Sequence, residues 1–523
     1  MIKQIYLLLG IFCLLSVSIQ GADLIPYPVR LIRGQGEFVL SDDTKLSYDE
    51  ALASRIPVCR EILNNRLGFS LKQKEAKGNS TITLHVDPNL KLPKEGYRLE
   101  VTPRQANITA SSPEGVFYGV QTLAQLLRPD IREQKGYVPS IKIEDYPRFK
   151  WRGCMLDVSR TFMDVRLLKR YINLMAGYKL NVLHLHLTDD QGWRLEIKRY
   201  PRLTSVGSQF DAEYNEMGGY YTQEEMKDLI RYAAERNITI VPEIEIPGHS
   251  CAAIVAYPQL ACYGVHPKIH PYDKGPGIHT EIFCAGKKDV YEFIFNVLDE
   301  VTEIFPSEYI HIGGDEAPKT AWKKCPDCQR MIKENALADE EELQSLLVQK
   351  LGCYLKQKGR KLIGWDEITE GGKLKGDETV MYWRSGVDGV SGVGKRMAEY
   401  AERGFQIIST PGAYCYFDHD YRRIDTRKTY LYEPIPTGIS EKAAQKYIGI
   451  QASFWSHLDR CESRIDRQLF PRLFALSELA WTSSAQKDWK RFRKTAREHV
   501  EWLREMGVNC YDDRSLYSSE LDE

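Results

Sequence analysis

The sequence predicts a (β/α)8 barrel preceded by a small α+β domain. Three observations carry that expectation. Beyond residue 147, apolar strand-like runs alternate with amphipathic segments of helical period; eight such runs occur in order; and polar residues suited to chemistry follow the runs directly. An open doubly wound sheet is the rival arrangement. No Gly-x-Gly-x-x-Gly or phosphate loop follows the first run, which argues against it.

At the N-terminus, Lys3 precedes an apolar stretch from Ile5 to Val17, and small or polar residues follow up to Ala22. This pattern reads as a secretory signal peptide over residues 1–22. The stretch is too short to span a bilayer, and Cys13 lies inside it rather than behind a pair of small residues, against lipid modification. The product is expected beyond the inner membrane, periplasmic or extracellular. Residues 23–147 show short alternating runs such as 81–86 and 97–101, which read as half-buried strands. One helix is expected there, over residues 116–127, after the capping signal Ser112-Pro113-Glu114. Asp145-Tyr146-Pro147-Arg148 closes this domain.

The barrel is expected over residues 148–523, with strands at 150–157, 180–187, 238–246, 309–312, 361–365, 379–383, 405–409 and 447–454. Helical period marks 167–178, 224–236, 290–304, 341–358 and 467–479 between them, and a charged helix over 489–506 packs outside. With 523 residues, 43% of them hydrophobic and 11% aromatic, the chain can build a large core. Lys plus Arg (71) nearly cancel Asp plus Glu (72), so no basic footprint points to nucleic acid or an anionic membrane surface. A small or neutral partner is expected.

Of twelve cysteines, Cys13 falls in the signal, which leaves eleven, and an odd count cannot pair completely. Cys325-Pro-Asp-Cys328 is half of a zinc pattern without a second closely spaced pair, so a local disulfide or two plain thiols is the expectation. No His-Glu-x-x-His or cofactor motif occurs. Neither a metal nor a cofactor is expected.

Functional residues of such a barrel sit where strands end. In order, the strand ends carry Asp157-Val-Ser-Arg160, His186-Leu-Thr-Asp189-Asp190, Glu245-Ile-Pro-Gly-His249, Gly314-Asp315-Glu316, Trp365-Asp366-Glu367, Trp383-Arg384, Tyr416-Phe-Asp418 and Trp455-Ser-His457. Acids, an arginine, histidines and three tryptophans converge on one rim. His311-Ile-Gly-Gly-Asp315-Glu316 is the most informative stretch, because it sets two adjacent carboxylates at the end of an apolar run. Side chains of successive residues diverge. The two acids can therefore reach different parts of one ligand.

These motifs resemble glycoside hydrolase family 20, the β-N-acetylhexosaminidases, from about Leu24 to at least Trp481. The resemblance implies exo-acting removal of terminal, non-reducing β-linked N-acetylhexosamine. It also implies substrate-assisted retention of configuration, in which the sugar's own 2-acetamido oxygen is the nucleophile and an oxazolinium ion the intermediate. It makes Glu316 the general acid/base, with Asp315 accepting the acetamido N–H and Tyr416 bonding its oxygen. Trp365, Trp383 and Trp455 would line the acetyl pocket, and Arg160 and Asp418 would hold sugar hydroxyls. Asp189 and His249 would form a relay to Glu316; Asp190 is an alternative to Asp189.

One departure stands out. The family shows Trp-x-Glu after the eighth strand, and this chain has Trp455-Ser456-His457. Losing that anion removes repulsion toward a 6-substituent of negative charge, so 6-O-sulfated N-acetylglucosamine enters as a candidate substrate. Two further alternatives stay open, a disaccharide-releasing enzyme of the same mechanism and a catalytically silent carbohydrate-binding protein. The presence of both acids favours an enzyme.

Overall fold

A computed structural model describes residues 24–71, 81–209, 218–265, 277–384, 391–456 and 461–518. The expected signal, residues 1–22, and His457 lie outside the described residues. Among the described residues, no helix is long and apolar enough to cross a membrane.

The N-terminal unit is a seven-stranded mixed sheet. Its strands are β1 (Arg30–Leu40), β2 (Lys45–Tyr48), β3 (Thr81–Val86), β4 (Tyr97–Val101), β5 (Gln105–Ala110), β6 (Arg128–Asp130) and β7 (Lys135–Asp145). They lie in the order β1-β7-β4-β5-β3-β2, with β6 on β7. Alternation decides the faces: Ile82, Leu84, Leu99 and Val101 are buried while their neighbours are not. Two helices join this sheet where one was expected. The additional one, α1 (Ile56–Leu67), carries a proline in its first turn and ends on Gly68 at φ 75°, a left-handed cap that only glycine adopts without strain.

Helix α2 (Pro113–Leu126) is capped by Ser112, whose hydroxyl accepts from Gly115 N–H. It is buried nearly all round because it lies between sheet and barrel. A Cβ on Gly119 would come within 2.5 Å of Ile108, so glycine is what lets the helix approach the sheet. The junction with the barrel is polar and paired. Arg152 makes a bidentate ion pair with Glu95 at 2.6 and 3.0 Å, and Asp145 accepts from Lys179 Nζ and Trp481 Nε1, both at 2.9 Å. Such fully partnered buried charges fix the orientation of one unit on the other.

The barrel is closed and all-parallel. Its strands are β8 (Trp151–Asp157), β9 (Val182–His186), β10 (Thr239–Glu243), β11 (Tyr309–His311), β12 (Lys361–Trp365), β13 (Thr379–Tyr382), β14 (Gln406–Ser409) and β15 (Tyr447–Phe454). Closure comes from β15 pairing β8, Gly449 opposite Trp151 through Phe454 opposite Leu156. Every expected strand is present, in the expected order. Helices α3 (Val165–Gly177), α4 (Gln223–Ala234), α5 (Lys288–Ile304) and α6 (Glu340–Gln357) pack outside; α3, α4 and α6 are each capped at the N-terminus by a side chain (Asp164, Thr222, Asp339).

The single helix expected over 467–479 is two helices, α7 (Glu462–Leu469) and α8 (Arg472–Trp481). Pro471 separates them, since it has no N–H to give and its ring clashes with the preceding turn. The charged outer helix is α9 (Trp489–Glu505).

Inside the barrel, Trp151, Val182, Val241, Ile363, Trp365, Met381 and Ile408 form an apolar plug. A polar chain crosses it. Trp151 Nε1 donates to Gln451 Oε1 at 3.1 Å, Gln451 Nε2 meets His184 Nδ1 at 3.0 Å, and Glu243 lies 3.1 Å from His184, 2.5 Å from His186 and 2.8 Å from His311. The three imidazoles outweigh burial and hold the Glu243 carboxyl well below its ordinary value.

Candidate active site

Two strained turns shape the carboxyl end of the barrel. After β11, Gly313 and Gly314 adopt φ 66° and 97°, and Glu316 itself sits at φ 43°; after β10, His249 sits at φ 47°. Left-handed backbone at non-glycine residues is costly and collects at functional sites. The turn is also tight, because a Cβ on Gly313 would fall 1.8 Å from Glu245 Oε2.

The two adjacent acids part company as their geometry requires. Asp315 is 7% exposed, whereas the Glu316 side chain is 35% exposed at the rim. Burial pushes the Asp315 carboxyl up to about 7, His249 opposes this and the Glu316 charge adds to it. His249 Nε2 lies 3.5 Å from Glu316 and 3.8 Å from Asp315, so one imidazole faces both.

On its other side, His249 Nδ1 lies 3.3 Å from Asp189 and 3.2 Å from Asp190. Both aspartates touch it, where the sequence left a choice. Asp189 is the more heavily engaged, with Arg160 Nη2 at 2.6 Å and His186 Nε2 at 2.7 Å, while Asp190 accepts from Cys251 N–H at 3.1 Å. Burial acts to raise Asp189, but Arg160 and then His249 hold it well below the usual carboxylate range. His249 moves the opposite way, since Asp189 outweighs burial and raises it well above the ordinary imidazole value. The imidazolium is therefore the resting form near neutral pH.

Arg160 also pairs Asp157 at 3.3 Å and lies 5.0 Å from the Trp455 ring centre. Four aromatic side chains gather beside it. Trp383 stacks on Tyr416 with centroids 6.0 Å apart and planes at 14°, Tyr416 meets Trp455 at 6.0 Å, and Trp455 meets Trp365 at 5.9 Å. Trp365, at 1% exposure, is the floor rather than a wall. Burial raises the Tyr416 phenol well above its ordinary value, so it keeps its proton and can donate. Asp418 is buried at the same rim and pushed by burial up to about 7.

Three strand-end residues to which the sequence assigned no role, Glu367, His186 and Glu245, belong to this centre. Glu367 accepts from Trp383 Nε1 at 2.8 Å, and burial, Asp366 and Asp315 raise its carboxyl. His186 bridges Glu243 and Asp189 and is raised to about 10, so the barrel's polar chain reaches the rim. Glu245 is raised well above its ordinary value by burial and by the charges of Asp315 and Glu243, which keeps it protonated. The signal was present in the alternation: His184/His186 and Glu243/Glu245 are i, i+2 pairs, which point to one side of a strand.

Trp365 Nε1, Asp315 Oδ1 and both Glu245 carboxyl oxygens are buried without a hydrogen-bond partner among the described residues. Buried polar groups are otherwise almost always partnered. Their concentration here marks a site that meets a polar ligand, with apolar aromatic faces on one side and an acid on the other. The site sets a buried carboxyl (Asp315), a carboxyl at the rim (Glu316) and a phenol donor (Tyr416) in one basin.

Comparison with known proteins agrees with this reading. Residues 149–484 match glycosyl hydrolase family 20, catalytic domain, and residues 22–146 match glycosyl hydrolase family 20, domain 2. A β-hexosaminidase of Porphyromonas gingivalis is 39% identical over 519 residues, covering 94% of this chain, which spans 64% of that relative's length. The structure of a β-N-acetylhexosaminidase from Bacteroides fragilis superposes with a TM-score of 0.82 at 34% identity, covering 94% of this chain and 97% of that one. The Vibrio harveyi exo-β-N-acetylglucosaminidase, solved with N-acetylglucosamine, gives a TM-score of 0.84 at 31% identity, with 94% and 78% covered. Matched over both of its domains, the chain belongs to glycosyl hydrolase family 20.

Proposed function

We propose that this protein is an exo-acting β-N-acetylhexosaminidase that releases terminal β-linked N-acetylglucosamine or N-acetylgalactosamine from glycans by substrate-assisted retaining hydrolysis. The observation that carries the proposal is the split between the two neighbouring acids, Asp315 buried beside the aromatic basin and Glu316 at the open rim, with His249 facing both. An enzyme with its own carboxylate nucleophile sets its two acids about 5–5.5 Å apart on opposite sides of the bond. Adjacent residues in one turn suit a different division of work.

In the proposed reaction Glu316 gives its proton to the glycosidic oxygen as the acetamido oxygen attacks C1, so the bond to the leaving group breaks and an oxazolinium ring closes. Asp315 accepts the acetamido N–H and carries negative charge against the developing cation. Water then gives a proton to Glu316 and attacks C1, which reopens the ring with retained configuration. The Tyr416 hydroxyl donates to the acetamido oxygen, the tryptophans hold the methyl group and the apolar sugar face, and Arg160 and Asp418 bind ring hydroxyls.

Glu316→Gln should lower kcat by about 10³-fold or more on alkyl glycosides, less on aryl glycosides whose phenol needs no proton, and leave sugar binding intact. Equal turnover of aryl glucosides, which lack the acetamide, would refute the mechanism. A silent binding protein would show neither turnover nor its loss.

The finer part of the proposal concerns the sugar's 6-position, where this chain tolerates a sulfate. Two features support it: the missing Glu after Trp455, with His457 in its place, and an Asp418 carboxyl that is partly neutral near pH 7. Aryl N-acetylglucosaminide and its 6-sulfate distinguish the cases; a strong preference for the unsulfated sugar, unchanged in His457→Glu, removes the basis. Export of the chain across the inner membrane belongs to the same proposal and rests on the apolar segment from Ile5 to Val17.

A further inference from the structure

Away from the sugar site, four cysteines meet in one buried cluster. Cys262 and Cys284 come from the long loop after β10, and Cys325 and Cys328 from the loop after β11. All four sulfurs lie within 4.8 Å of one another. Cys284 is 3.6 Å from Cys325 and 3.6 Å from Cys328, and Cys262 is 3.9 Å from Cys328. None of the four is disulfide-bonded. Cys325-Pro-Asp-Cys328, expected as a local disulfide or two plain thiols, is not disulfide-bonded, and two separated single cysteines that the sequence reading did not connect with it meet it in space.

We propose that Cys262, Cys284, Cys325 and Cys328 bind one structural zinc ion. Zinc thiolate bonds of about 2.3 Å in a tetrahedron place the sulfurs about 3.8 Å apart, the spacing seen here, whereas a disulfide needs about 2.05 Å. Two further features fit thiolate ligands. Cys325 occupies the N-cap position of the helix Pro326–Glu334 and Cys328 lies in its first turn, so both sit at the positive end of a helix dipole. The Gly286 N–H donates to the Cys284 sulfur.

The surrounding backbone is built to bring the two loops together. The antiparallel bridge between Ala261 and Phe283, extended by Cys284 N–H donating to Leu260 O at 2.9 Å, places Cys262 and Cys284 diagonally across the pair, on the same face. A Cβ on Gly286 would fall 2.2 Å from the backbone of Asp327 and Cys328, so only glycine allows this contact. Trp322 Nε1 donates to Phe283 O at 2.9 Å, and Phe283 N–H donates to Pro247 O at 3.0 Å, two residues before His249. Zinc would therefore clip the loop that carries His249 to the loop that carries Glu316. On binding, the thiols release their protons and no redox partner is needed.

The test is metal content of the full chain, purified without metal-affinity resin and dialysed against a mild chelator. Elemental analysis should find about one zinc per chain, falling to below about a tenth in Cys284→Ser and Cys328→Ser. Cobalt substitution should give the intense visible bands and the sulfur charge-transfer band of a tetrahedral thiolate site. Strong chelation should lower the melting temperature. Wild-type protein that contains no zinc overturns the proposal, whether peptide mapping finds the four cysteines in disulfides or a thiol reagent titrates them freely. Stoichiometric iron in place of zinc overturns the choice of metal. The wild-type measurement decides the matter even where a variant fails to fold.

Discussion

Replacing Asp315 by Asn should stabilise the free protein at neutral pH, and the gain should grow as pH rises. Burial raises the Asp315 carboxyl from its ordinary 3.8 to about 7, so between these values the folded chain holds a proton that the unfolded chain has lost. Stability then falls with rising pH. At about 1.4 kcal/mol per pH unit, the group costs about 1.6 kcal/mol at pH 5 and about 4 kcal/mol above pH 7, where both states are ionised and the loss is complete. Asn has nearly the same shape and never ionises. The melting-temperature advantage of Asp315→Asn over wild type should therefore widen by about 2.5 kcal/mol between pH 5 and pH 8, or roughly 2–5 °C. The same variant should be almost inactive on acetamido sugars. Paired thermal scans across that range measure the gap. A gap that is constant or narrows toward pH 8 would refute the claim that burial raises this carboxyl, and with it the idea that its ionised form is costly until a developing cation faces it.

Two further substitutions follow from the rim. Gly313→Ala should cost about 2–5 kcal/mol in chemical denaturation, because φ 66° strains an L-residue and the new methyl meets Glu245 at 1.8 Å; a neutral result would mean that the turn can relax. Arg160→Ala should destabilise by about 3 kcal/mol, since buried Asp157 and Asp189 lose their shared cation, whereas Arg160→Lys should recover part of that loss but not the affinity for substrate; equal stability of the two variants would show that His186 and His249 suffice.

The barrel was legible because its strands are buried on both faces and therefore read as continuous apolar runs of the right length. Each expected run from 150–157 to 447–454 became a strand, with ends moved by no more than three residues. Helices announced themselves less evenly. Helix α1 has a weak apolar face and is defined by its ends, Pro57 and Gly68, so a reading that weighs periodicity over caps passes it by. The break at Pro471 is the converse case, in which helical period continues on both sides of a residue that cannot join the ladder.

What the sequence withheld is what depends on contacts between loops. Asp189 and Asp190 are adjacent in the chain, and nothing local tells which one meets His249; both do, because the turn after β9 presents their carboxylates to the same ring nitrogen. The cysteine cluster makes the same point more sharply. Cys325 and Cys328 declare themselves by spacing, but Cys262 and Cys284 become their neighbours only through the Ala261–Phe283 bridge and the bare backbone of Gly286. A search for paired motifs assumes that both halves of a site are local in sequence. Two isolated cysteines, each one residue past a partner of one bridge, satisfy the same tetrahedron, so in a barrel whose long loops fold against each other, single cysteines in one loop have to be weighed together with a close pair in the next.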